Sequence, residues 1–222
     1  MKLISGLLCF AALLPAQMKR DEILAIAQLA YIYAYPMVLM EETRAGGGLN
    51  RLNHRPAYLE PENRQVIRPN ADTLYSSSWI DLSTEPVVIK VPDSRGRYYL
   101  MHFLDDWTET FSVPGKRTTG TGEQWMVMVG LGWNGALPDK PVRIDAPTNI
   151  VWLIGRTQTN GAPDYESVRG FQREMRMMPL SAHPDGVAPA LPAPAAGQSA
   201  SPRRCGFARW MRERFSPGLP KP

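Results

Sequence analysis

Val87-Val88-Ile89-Lys90-Val91-Pro92-Asp93-Ser94-Arg95-Gly96-Arg97-Tyr98-Tyr99-Leu100-Met101-His102-Phe103-Leu104 is the stretch that decides among the fold classes open to this chain. Val87, Ile89 and Val91 alternate with Val88 and Lys90, the two-residue period of a β-strand, and Pro92 stops the run. Asp93-Ser94-Arg95-Gly96 has turn composition, and an extended run resumes from Tyr98 to Leu104. The spacing predicts a hairpin. Both faces of 98–104 are largely apolar, as are those of 125–129 and 150–154, so these are expected to be interior strands covered on two sides. Residues 108–113 are expected to pair with the strand before them. Gly, Pro and Asp clusters separate these strands where helices would be needed for a parallel sheet, and a mainly β fold, a β-sandwich, follows.

Working outward, Ile23, Ala27, Ala30, Ala34 and Met37 recur at helical spacing and predict a flanking N-terminal helix over 21–43. Asp21 is its expected N-cap, Pro36 is expected to end or kink it near Tyr35, and Gly46-Gly47-Gly48 is a firm break. Tyr31, Tyr33 and Tyr35 are expected to pack against a sheet. On the other side, Val168, Phe171, Met175 and Met178 share one face of a C-terminal amphipathic helix, capped by Asp164 and stopped by Pro179. Its methionines read as core filler.

The 222 residues suffice for one globular domain with a tail; 44% are apolar and 21% charged, as in ordinary folded proteins. Twenty-one prolines and eighteen glycines argue against an all-helical bundle. The net charge of +4 belongs to the end of the chain. Residues 203–222 hold six cations and one anion, leaving the rest at −1, so no nucleic-acid partner is expected. Residues 1–17 read as a signal peptide: Lys2, an apolar run from Leu3 to Leu14, and Leu14-Pro15-Ala16 as cleavage motif. That run is short of the ~20 residues of a spanning helix, so no stable membrane span is expected and the protein should be exported, periplasmic or secreted. Cys9 leaves with the signal and Cys205 remains alone, which excludes an internal disulfide. The folded domain is assigned to 18–181, and the Pro/Ala-rich and basic residues 182–222 to a disordered tail.

Several motifs in order carry a family resemblance. Ala30-Tyr31-Ile32-Tyr33-Ala34-Tyr35-Pro36, Arg68-Pro69-Asn70-Ala71-Asp72-Thr73-Leu74-Tyr75-Ser76, Arg97-Tyr98-Tyr99 through Phe103-Leu104-Asp105, and the run from Asn149 to Thr159 resemble the family called domain of unknown function 1254, over roughly residues 20–181. The resemblance implies a bacterial, commonly exported, immunoglobulin-like β-sandwich decorated with helices, and no established reaction. It also implies a second, jelly-roll-like domain after this one. Here a Pro/Ala stretch and an Arg-rich end follow Pro179-Leu180-Ser181 instead, as in a truncated half of a two-domain protein.

Two clusters are candidates for a pocket. Asn70, Asp72, Thr73 and Tyr75 precede or open a strand; Asp72 has the chemistry of a general base and Tyr75 that of a donor. The competing reading is an Asx-turn, with Asn70 and Asp72 bonded to nearby amides. Asp105, Asp106 and Glu109 surround Trp107, carboxylates with an aromatic platform as at sugar-processing sites. Here the competing reading is a turn with Trp107 in the core. His102 with Asp105 and one of Ser76, Ser77 or Ser78 makes a triad only on paper, since no Gly-x-Ser-x-Gly elbow is present. His54, His102 and His183 are too widely spaced for a metal site. Gly130-Leu131-Gly132-Trp133-Asn134-Gly135 has the letters of a dinucleotide fingerprint, but Leu137-Pro138-Asp139-Lys140-Pro141 cannot open the required helix. Lys116 to Thr121 form a basic, hydroxyl-rich loop. No cofactor is expected. The reading is a binding or docking module for a jelly-roll-like partner domain or a small polar ligand; the alternative is a cofactor-independent hydrolase or lyase with Asp72 or Asp105 as base.

Overall fold

The computed structural model describes residues 20–45, 48–59 and 70–184. The signal-peptide reading and most of the tail, with Arg68 and Pro69, lie outside them. The chain divides into two compact units, residues 1–35 and 36–222.

In the first unit the described residues are helical, the opening part of α1 (Arg20–Arg44). Ile23, Leu24, Ile26, Leu29, Ile32 and Tyr33 are all exposed. Tyr31, Tyr33 and Tyr35 are at least 40% exposed, and Tyr31 and Tyr35, one helical turn apart, meet each other at 5.8 Å. Pro36 does not end the helix. Its ring removes the hydrogen bond to the Ile32 carbonyl, yet the helical path runs on to Arg44.

The second unit is mainly β. After the end of α1 come β1 (Asn53–His54), β2 (Thr73–Asp81), β3 (Val87–Val91), β4 (Tyr99–Leu104), β5 (Thr110–Ser112), β6 (Gln124–Val129), β7 (Val142–Asp145), β8 (Ile150–Gln158), α2 (Tyr165–Glu174) and β9 (Arg176–Pro179). They form one sheet in the order β1-β2-β8-β4-β5 and another in the order β7-β6-β3-β9. Ile80, Val151, Leu153, Met101 and Phe103 of the first share a core with Val87, Ile89, Val91, Met126 and Met128 of the second. Two sheets burying one set of inward side chains make a sandwich. The doubly apolar strands behave as their composition demands. Val88, Val127 and Val129 face away from that core and are covered by Leu180, Trp125, Trp133 and Leu137.

Three local expectations fail for non-local reasons. β3 and β4 are not a hairpin, because the turn at 92–98 carries the chain from one sheet to the other: β3 pairs with β6 and β9, β4 with β5 and β8. The C-terminal helix stops at Glu174 rather than Pro179, because Arg176–Pro179 satisfies the free edge of β3. Asp164 stands at the N-cap of α2 without capping it; its carboxylate is held by Arg97. Other expectations hold: β5 pairs with β4, and Val168, Phe171 and Met175 are buried. The fingerprint-like glycines lie in the connection between β6 and β7, a parallel pair. Such a pair needs a crossover of about a dozen residues, which 130–141 supply. Gly130 is required there, since a Cβ would come within 2.7 Å of Asn149 Oδ1 and Leu82 Cβ.

Candidate functional site

The residues singled out at the mouth of β2 form a turn. Asn70 Oδ1 accepts hydrogen bonds from the Asp72 N–H at 3.1 Å, the Thr73 N–H at 2.8 Å and Thr73 Oγ1 at 2.9 Å. This is the Asx-turn arrangement, with Asn70 as acceptor. Its Nδ2 is buried with no hydrogen-bond partner among the described residues. Asp72 is exposed, and its carbonyl receives the Thr159 N–H. Tyr75 lies on β2 beneath the Arg156 guanidinium, 5.5 Å from the ring centroid.

Asp105 also builds a turn. It is buried, and its Oδ1 accepts from the N–H groups of Trp107 and Glu109, both at 2.9 Å. Thr108, in the left-handed region at φ 66°, completes the corner. The perturbed carboxyl here is that of Asp106. Burial, then the charges of Asp105 and Glu41, push it up to about 6, against the opposing pull of Arg44. Arg44 and Glu41 are themselves joined through Nη2 and Oε2 at 2.6 Å. The sequence placed Asp106 in this carboxylate cluster but gave no reason to single it out from Asp105; its burial beside Glu41, far away in sequence, is what perturbs it.

The two clusters do not meet. Thr73 pairs with Gln158 on β8, whereas Leu104, just before Asp105, pairs with Trp152. Six residues of strand separate those rows, about 20 Å. Nor does the paper triad assemble. His102 Nε2 is 2.7 Å from Thr110 Oγ1, and burial followed by the Arg156 charge lowers its pKa. A histidine that does meet a serine is His54, whose Nδ1 is 2.9 Å from Ser76 Oγ. That hydroxyl is buried and also receives Gln172 Nε2, so it ties β1 and α2 to β2 rather than facing solvent. In the 116–121 loop, Lys116 Nζ donates to the Gly96 carbonyl and Thr118 Oγ1 to that of Val113. Among the described residues no group of three or more His, Cys, Asp or Glu side chains is placed to hold a metal ion.

A cleft of about 550 Å3 lies elsewhere, where the 93–97 turn, the end of β8 and α2 converge. Arg97 anchors one wall: Nη1 and Nη2 grip both Asp164 oxygens, and the same guanidinium donates to Ser167 Oγ at 3.0 Å and the Gln158 carbonyl at 2.9 Å. Hydrogen bonding to Asp164 raises the Arg97 pKa, and Arg97 in turn holds the Asp164 carboxyl below its usual range. Arg95, Glu174, Asn160 and Gly170 also line the opening. The sequence marked 93–96 only as a turn; the one signal for a site was a glycine inside the period of α2.

The model of the family described as Protein of unknown function (DUF1254) matches residues 49–179, more than half of the chain. The chain belongs to the DUF1254 family. The matched segment runs from just before β1 to the end of β9, so in this DUF1254 protein the family match covers the two-sheet sandwich. Among solved structures, the VPA0106 protein from Vibrio parahaemolyticus is similar in fold, with a TM-score of 0.61 and 24% identity over 79% of this chain and 42% of that one. An uncharacterised protein from Burkholderia cenocepacia matches at a TM-score of 0.40 and 14% identity, over 66% of this chain and 39% of that one. The chain therefore spans well under half the length of these two proteins. No curated protein matches it.

Proposed function

We propose that this DUF1254 protein is an exported docking module whose N-terminal helix receives a second folded domain, of the jelly-roll-like kind that the family resemblance implies. The observation that carries the reading is the surface of α1. Ile23, Leu24, Ile26, Leu29, Ile32 and Tyr33 go round the cylinder, and all are exposed. A helix apolar on every side is normally enclosed. By length and composition α1 is also apolar enough to cross a membrane, a test that core helices and signal sequences pass as well. Tyr31, Tyr33 and Tyr35 favour a protein partner. They fall near the middle of the apolar stretch, whereas tyrosines in spanning helices gather at the two membrane surfaces. Protein interfaces, by contrast, are enriched in tyrosine, whose phenol finds a hydrogen-bond partner there.

The test uses the full chain with an apolar dye, anionic and neutral lipid vesicles, and sedimentation equilibrium. Wild type should bind the dye, remain monomeric and stay out of vesicles. Leu29→Asp combined with Ile32→Asp should weaken dye binding markedly without lowering the thermal midpoint. Partition into vesicles would assign the helix to a bilayer and self-association would assign it to a second copy; either result overturns the reading.

A further inference from the structure

The cleft beside α2 falls within the roughly 300–1,000 Å3 span of small-molecule sites. One residue on its wall has no structural reason to be what it is. Gly170 lies inside α2, outside the left-handed backbone region, and a Cβ built on it meets nothing within 4 Å. Glycine is unfavourable inside a helix, because it loses the most backbone freedom on folding. Gly130 and Gly155 are forced by close neighbours; Gly170 is not. A side chain at 170 would stand beside the cleft that this residue lines. A local rule broken with no compensating contact is characteristic of a functional wall.

The chemistry of the lining selects a ligand class. Arg97 is already engaged by Asp164, Ser167 and the Gln158 carbonyl, which leaves Arg95, Asp93 and Glu174 as the other charged residues of the lining. One cation against two carboxylates disfavours a phosphate or carboxylate ligand. Carboxylates accept hydrogen bonds, a guanidinium donates them, and the Gln158 and Asn160 carboxamides do both. Hydroxyl groups, which donate and accept at once, complement that set. Phe171, packed on Tyr99, gives the lining its one aromatic side chain.

We propose that this cleft binds a neutral polyhydroxylated ligand, a mono- or disaccharide, with Glu174 and Asp93 accepting hydrogen bonds from its hydroxyl groups, Arg95 donating, and Gly170 leaving the space the ligand occupies. This site is independent of the docking helix.

Calorimetric titration of the full chain tests it, with glucose, galactose, mannose, N-acetylglucosamine and their disaccharides as probes and inorganic phosphate and glutamate as charged counterparts. At least one neutral sugar should bind saturably, and about tenfold or more weakly to Glu174→Gln, which loses a hydrogen bond to a charged acceptor. Gly170→Leu should lose the sugar while keeping or raising the thermal midpoint, because leucine favours the helix and a Cβ at 170 meets nothing within 4 Å. The proposal is overturned if no sugar binds, if Gly170→Leu binds as wild type does, or if phosphate binds and sugars do not. Unfolding of Gly170→Leu would also overturn it, by giving the glycine a packing role.

Discussion

Asp106→Asn should stabilise the protein at neutral pH and do little in acid. The wild-type carboxyl titrates near 6 in the folded chain, raised from 3.8 by burial and by Asp105 and Glu41. A carboxyl whose pKa rises on folding favours the folded state when protonated, and this advantage is lost as pH climbs from about 4 through 6. At about 1.4 kcal/mol per pH unit, a shift of this size corresponds to at most ~3 kcal/mol. Asp106 is only partly buried, and solvent screening reduces the expected effect to ~1 kcal/mol. Asparagine keeps the shape and the backbone bond from the Asp106 N–H to Thr148 Oγ1. The assay is the thermal midpoint of both proteins from pH 4 to pH 8. The two should coincide near pH 4 and diverge as pH rises, with the variant ahead by about 2–4 °C at pH 7.5. A constant offset, or a variant less stable at pH 7.5 than at pH 4 relative to wild type, would refute the reasoning.

Other substitutions test the packing directly. Gly155→Ala puts a Cβ 2.8 Å from the Ser76 carbonyl and 3.1 Å from Met101 Sδ, so urea denaturation should show a loss of about 1–3 kcal/mol. Arg97→Ala leaves Asp164 without its guanidinium and should cost about 1–3 kcal/mol at pH 7. Because Arg97 holds the Asp164 pKa down, the wild-type advantage should shrink as pH falls through the carboxylate range. Gly170→Ala should instead gain about 0.5–1 kcal/mol, read as a higher thermal midpoint.

Strand period and two-sided hydrophobicity were enough to place β3, β4, β6 and β8 and to choose a sandwich over a parallel sheet. Their partners were not legible, because a turn such as 92–98 has the same composition whether it closes a hairpin or carries the chain to the opposite sheet. The end of α2 shows the same limit. Met175 and Met178 continue the helical spacing, but the unpaired edge of β3, far away in sequence, draws Arg176–Pro179 into a strand. At the site, polar residue types marked Asn70 and Asp105, and both serve as acceptors that build turns. The cleft was invisible for a different reason: its walls come from three separate segments, none carrying a motif.

The most direct test of the docking account is amide hydrogen exchange on the full chain, alone and with the jelly-roll-like domain of a two-domain family member supplied in trans. The account predicts added protection concentrated at 23–33 in α1, with β2, β4 and β8 unchanged. Protection gained on the sheets and not on α1, or none at all, would contradict it.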